Sequence, residues 1–202
     1  RRNQPMGDLI IKPASSGSLK IQDQAGTDFI TTGTSSGLTL GSGVTFPAGG
    51  TGNPISIAII SDQKDASTDG GDFNSGDWRT RDLNTEVSDP DGIVSISSNQ
   101  FTLSSGTYFL DAQAPAYRVD QHQLAIYDAT AGAYLNYGPI AQSRNTDQTP
   151  TTAFVSFVHT ITANNLYEIR HRGTTTKSSN GFGTSVSWAV THFCVVKLFK
   201  LK

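Results

Sequence analysis

The chain has 202 residues, of which 36% are hydrophobic, 9% aromatic and 16% charged, with 20 glycines and a formal net charge of −2. A chain of this length buries roughly 70% of its unfolded surface, and its low charge excludes a charged disordered tail and a long-helix protein. The slight negative balance gives no general attraction to phosphate backbones or anionic membranes, so neither nucleic acid nor membrane insertion is expected.

The N-terminal Arg1-Arg2-Asn3-Gln4-Pro5-Met6 is not followed by an apolar signal region, and no run of about 18 apolar residues follows anywhere, so neither a secretory signal nor a membrane span is expected. Helical spacing of apolar residues is nearly absent, whereas two-residue alternation recurs, which predicts an all-β chain. Before residue 52 the apolar units are short and follow small-residue turns: Leu9-Ile10-Ile11, Leu19-Lys20-Ile21, Phe29-Ile30, Leu38-Thr39-Leu40 and Val44-Thr45-Phe46. Such minimal strands cannot bury themselves alone, so residues 1–52 are expected to be an oligomerisation or docking arm that wraps with identical segments. The Pro/Gly-rich stretch from Phe46 to Pro54 is expected to be the hinge.

From residue 53 to 202 the strands lengthen. Strands are expected over 55–60, 78–87, 93–97, 101–103, 107–118, 121–128, 134–143, 152–161, 166–172 and 185–201, the count of a two-sheet sandwich or jelly roll. Asp89-Pro90-Asp91-Gly92, Ala131-Gly132 and Asn180-Gly181 read as turns. In the last strand Val186, Trp188, Val190, His192, Cys194, Val196 and Leu198 alternate on one face, and Val195, Phe199 and Leu201 are apolar on the other. A strand apolar on both faces is buried on both. One way to achieve this is a central strand lying against another subunit, which makes Val195, Phe199 and Leu201, with Leu38 and Phe46 of the arm, the expected oligomer contacts.

No residue set points to catalysis or to a cofactor. His122, His159, His171 and His192 fall on separate strands without metal-ligand spacing and are expected to be structural. Cys194 is the single cysteine, with no disulfide partner or CxxC motif, which suits folding in a reducing cytoplasm. Asp62, Asp65, Asp69 and Asp72 lack the register of a calcium loop and are expected in a solvated loop. A carboxylate pair for glycoside hydrolysis among Asp72, Asp77, Asp82 and Glu86 is the weaker, enzymatic alternative. Loop aromatics are the better binding signal, because they bring large contact area at small entropy cost. Tyr134, Asn136 and Tyr137, with Phe182 between its two glycines, are therefore the ligand-contacting candidates, while Trp78 and Trp188 are expected to pack.

Several stretches resemble a known family. Asn99-Gln100-Phe101-Thr102-Leu103-Ser104-Ser105-Gly106-Thr107-Tyr108-Phe109 is similar to the C1q-like pattern of an aromatic strand, a Gly turn and a Tyr-aromatic strand opening. Val195-Val196-Lys197-Leu198-Phe199-Lys200-Leu201 resembles the closing central strand of C1q/TNF jelly rolls. Asp77 to Thr85, Ala114 to Val119 with His122-Gln123, and the linker-like Leu19 to Asp23 and Gly43 to Gly49 resemble segments of tailed-phage virion proteins. The resemblance implies a non-enzymatic homotrimer on the virion surface, assembled in the host bacterial cytoplasm. Its arm would dock to capsid or tail and its jelly-roll knob would attach, as a tail-fibre tip, to a host-surface glycan. The alternatives are a capsid decoration or head-fibre protein and a free C1q-like lectin. The resemblance supplies no ligand residues and no metal.

Overall fold

The computed structural model describes Lys20–Gln22, Asp28–Thr32, Leu38–Leu40 and residues 55–201. Two compact units result, Arg1–Gly52 and Asn53–Lys202. In the first, β1 (Lys20–Gln22), β2 (Asp28–Thr32) and β3 (Leu38–Leu40) form an antiparallel sheet in sequential order. The expected contacts Leu38 and Phe46 lie outside what is described: Phe46 entirely, Leu38 in its side chain.

The second unit is a two-sheet antiparallel sandwich, as the alternation predicted. Its strands are β4 (Ser56–Lys64), β5 (Arg79–Thr80), β6 (Thr85–Ser88), β7 (Val94–Ser97), β8 (Gln100–Leu103), β9 (Gly106–Ala116) and β10 (Asp120–Asp128). They continue with β11 (Ala133–Tyr137), β12 (Ala141–Ser143), β13 (Thr151–Ile161), β14 (Asn165–Gly173) and β15 (Thr191–Lys200). One sheet runs β13-β9-β15-β4-β6, and the other runs β11-β10-β14-β8-β7, with β12 on β10 and β5 on β14. Chain-adjacent strands that lie in opposite sheets, such as β5 and β6, give the crossed connectivity of a jelly roll.

The core fills from both inner faces. Ala58, Ile60, Leu110, Ala112, Val155, Val196 and Leu198 meet Phe101, Leu103, Leu124, Ile126, Tyr167 and Ile169, all of them buried. Alternation sets which side chains point inward, although Ser61, Ala125 and Glu168 are buried on the outward side as well.

Three expected strands are cut short, each for a physical reason. Residues 78–87 form two strands because Arg81 to Asn84 cross from one sheet to the other: Thr80 pairs with Arg170 of β14, while Thr85 pairs with Ser61 of β4. Residues 134–143 break at Gly138-Pro139-Ile140. A Cβ on Gly138 would sit 1.6 Å from the Phe154 carbonyl oxygen, so only glycine lets the end of β11 pass over β13. The last strand begins at Thr191 rather than Ser185, and its register shifts between His192 and Cys194, so Phe193 and Cys194 are both buried. The alternation expected from Val186 to His192 does not form, and Trp188 is 81% exposed instead of packed in the core.

Candidate functional site

The outward face of the five-stranded sheet carries an apolar row across four strands. Ile57 pairs with Phe199, Phe199 with Phe109, and Phe109 with Val158. The Phe109 and Phe199 rings lie 5.9 Å apart. Ile57, Phe109 and Val158 are exposed, and Phe199 is partly so. The next row, Ser156, Asp111, Lys197 and Ile59, holds an ion pair in which Lys197 Nζ lies 3.3 Å from Asp111 Oδ2. Val195 is partly exposed on the same face, in the row that runs through Gln113 to Phe154, and Leu201, just past the strand, is 36% exposed. Contiguous apolar surface rimmed by polar groups marks an interaction surface.

The outward face of the other sheet differs. Tyr134, Tyr137 and Trp78 form a mutual cluster, with ring centroids 5.3 Å apart for Trp78 and Tyr134, 5.5 Å for Trp78 and Tyr137, and 5.3 Å for the two stacked tyrosines. Tyr137 is 50% exposed. Arg170 braces the cluster from one side: its guanidinium lies 3.4 Å from the Tyr127 ring centroid and donates to the Tyr134 hydroxyl at 3.2 Å. Glu168 accepts from Arg170 Nε at 2.8 Å, from Gln100 at 2.8 Å and from Thr80 at 2.9 Å. Burial alone would push the Glu168 carboxyl up, but these three donors hold it below the usual carboxylate range.

Of the four sequence candidates, the structure brings Tyr134 and Tyr137 together and separates the other two. Asn136 donates to the Ser156 carbonyl on β13 at 3.2 Å, away from the tyrosines. Phe182 is buried, packed edge-on against Phe73 at 4.9 Å and under the Arg81 guanidinium at 4.0 Å. Flanking glycines suggested an exposed loop, but these allow a tight turn instead: a Cβ on Gly181 would meet Phe73 at 2.5 Å. Trp78, expected only to pack, is the third member of the cluster. Its proximity follows from β5 lying on β14, a pairing across some ninety residues that local pattern cannot show.

Beneath this face lies a polar core that the sequence did not announce. Arg81 is fully buried and donates to the carbonyls of Phe193 at 2.9 Å, Phe182 at 3.1 Å and Pro115 at 3.5 Å. Next to it His122 Nδ1 and His171 Nε2 share a 2.9 Å hydrogen bond, and His122 Nε2 lies 2.7 Å from Thr151 Oγ1. Burial, and then the Arg81 charge, lower the His122 pKa to about 4. The same two causes, followed by His122 itself, hold His171 well below its ordinary value. Both rings are therefore neutral near pH 7. Burial pushes the Cys194 thiol up to about 12, against the opposing pull of Arg81.

The acidic residues have structural partners. Asp62 is buried and pairs with Lys64 at 3.1 Å, Asp82 pairs with Lys64 at 3.0 Å, and Asp69 accepts from the Ser185 amide and hydroxyl at 2.7 Å. Asp77 accepts from the Trp78 amide, and Asp72 from the Ser179 amide. Asp62 thus sits in strand β4 rather than in the expected solvated loop. Among the described residues no three His, Cys, Asp or Glu side chains come together as a metal site.

No sequence-family description matches the chain, and no curated protein is similar to it in sequence. Solved structures are similar in fold. Murine APRIL, at pH 8.0, superposes with a TM-score of 0.50 at 12% identity over 73% of this chain and 99% of its own. The globular domain of the zebrafish complement 1qA protein gives 0.48 at 12% identity, covering 73% and 98%. The Eiger TNF of S. frugiperda gives 0.46 at 12% identity, covering 74% and 94%. The second unit therefore has the TNF-like jelly-roll fold seen in murine APRIL.

Proposed function

We propose that the protein is a non-enzymatic virion structural protein of a tailed phage. It assembles as a homotrimer through the outward face of the five-stranded sheet, and its other sheet displays an attachment surface to a host glycan. The observation that carries the trimer is the row of Ile57, Phe199, Phe109 and Val158, continuous across β4, β15, β9 and β13. Left open to water, such a row costs roughly 25 cal/mol per Å² of apolar area. A closed ring of three copies covers it on every subunit. Val195, Phe199 and Leu201 are contacts in this reading, and residues 1–52 serve as the arm that docks to capsid or tail.

The attachment role is supported by the cluster of Trp78, Tyr134 and Tyr137, in which Tyr137 is exposed and the other two rings are partly so. Three copies multiply a weak contact into avidity. Antibody labelling of purified particles in electron micrographs tests the placement. Label on the tail supports the fibre tip, label on the shell supports the capsid-decoration alternative, and particles without label overturn the virion assignment.

A further inference from the structure

The aromatic cluster does not stand alone on its sheet. Beside it opens a cleft of about 130 Å³ lined by Gln121, His122, Gln123, Ile140, Arg172 and Thr174 with Gly173. The two features share their connections: Gln123 pairs with Arg172 across β10 and β14, and it donates to the carbonyl of Gly138, the residue after Tyr137, at 2.6 Å. Arg172 donates to the carbonyl of Gly76, two residues before Trp78, at 3.4 Å. Platform and cleft are thus tied together through Gln123 and Arg172.

Its chemistry is asymmetric. The cleft lining carries one formal charge, the Arg172 guanidinium, because His122 at the base is neutral. A guanidinium has five N–H donors in a planar fork suited to a carboxylate or phosphate, and only the long contact to Gly76 engages Arg172 among the described residues. Glu168, four residues away on β14 and not part of the cleft lining, pairs with Arg170 instead. Gln121, Gln123 and Thr174 add neutral donors and acceptors, and Ile140, 67% exposed, adds an apolar wall. The cleft is open to solvent, with room for a carboxylate or phosphate substituent at Arg172 beside a ring placed on Tyr137 and Trp78.

We infer that this surface binds an acidic saccharide, with a sugar ring stacked on Tyr137 and Trp78 and its carboxylate or phosphate held by Arg172 in the cleft. The inference rests on the attachment reading and narrows it to one ligand class. It is tested with the full chain carrying Trp188→Phe, which leaves Trp78 as the single tryptophan of the two. Its emission is titrated with oligogalacturonate, with a phosphorylated mannose oligosaccharide and with neutral maltoheptaose.

The expected result is a saturable change with at least one acidic probe at a Kd tenfold or more below that of maltoheptaose. Arg172→Gln then erases the preference, and Tyr137→Ala abolishes the response. Equal binding of neutral and acidic probes, or a preference that survives Arg172→Gln, overturns the acidic ligand and leaves glycan attachment standing. No response to any of the three overturns both.

Discussion

The two outward sheet faces of the jelly roll are built by the same strand alternation and end with opposite chemistry. On β4, β15, β9 and β13 the outward positions place Ile57, Phe199, Phe109 and Val158 side by side, with one ion pair in the next row. On β14, β10, β11 and β5 they place Arg170, Tyr127, Tyr134 and Thr80, with the charges of Arg170 and Glu168 mutually satisfied. The first face gains by being covered; the second is stable in water and still presents three aromatic rings. Outward-facing composition, more than the fold, therefore distinguishes the two sheets.

The sharpest way to break that division is a charge in the apolar row. Phe199→Asp is expected to reduce the assembled protein to monomers, read by light scattering, while the monomer keeps its β-sheet circular dichroism. Next in size is Arg81→Ala. Removing the guanidinium leaves the carbonyls of Phe182 and Phe193 unpaired in the interior, with a loss on the order of 3 kcal/mol in denaturant unfolding.

Acid acts on the same polar core. Because His122 has a folded pKa of about 4 against an ordinary 6.5, the unfolded chain binds more protons between those values. Stability is complete above pH 6.5 and declines as pH falls toward 4. His122→Asn is expected to flatten that part of a melting-temperature profile. A smaller effect concerns Cys194, buried and with its thiol pushed up to about 12. It is expected to resist a thiol reagent in the native protein and to react on unfolding. The smallest belongs to Trp188→Phe, which at an 81% exposed position should change unfolding free energy by less than about 0.5 kcal/mol.

Period-two alternation made the all-β sandwich legible, because side-chain direction in a strand depends on local sequence alone. It also placed Val195 and Phe199 opposite Val196 and Leu198 in β15. It failed where long-range geometry intervened. The strand begins only at Thr191, which leaves Trp188 outside it, and the bulge at His192 then resets the register. The crossing at Arg81 to Asn84 split an apparent strand between sheets, and the pairing of β5 with β14 just before it brought Trp78 to the tyrosines. Phe182 looked like an exposed turn aromatic because nothing local reveals Arg81, a hundred residues away, lying over its ring. Two of the three rings of the aromatic candidate site, Tyr134 and Tyr137, were visible as a motif on one strand. Its third ring, and the pairing of His122 with His171, came only with the β10, β14 and β5 neighbours.

The account turns on the apolar row, and the solution mass of the full chain by light scattering tests it most directly. The expected value is three times the chain mass, falling to one for Phe199→Asp. A stable monomer of the unaltered chain, with Ile57, Phe109 and Val158 left in water, would contradict it.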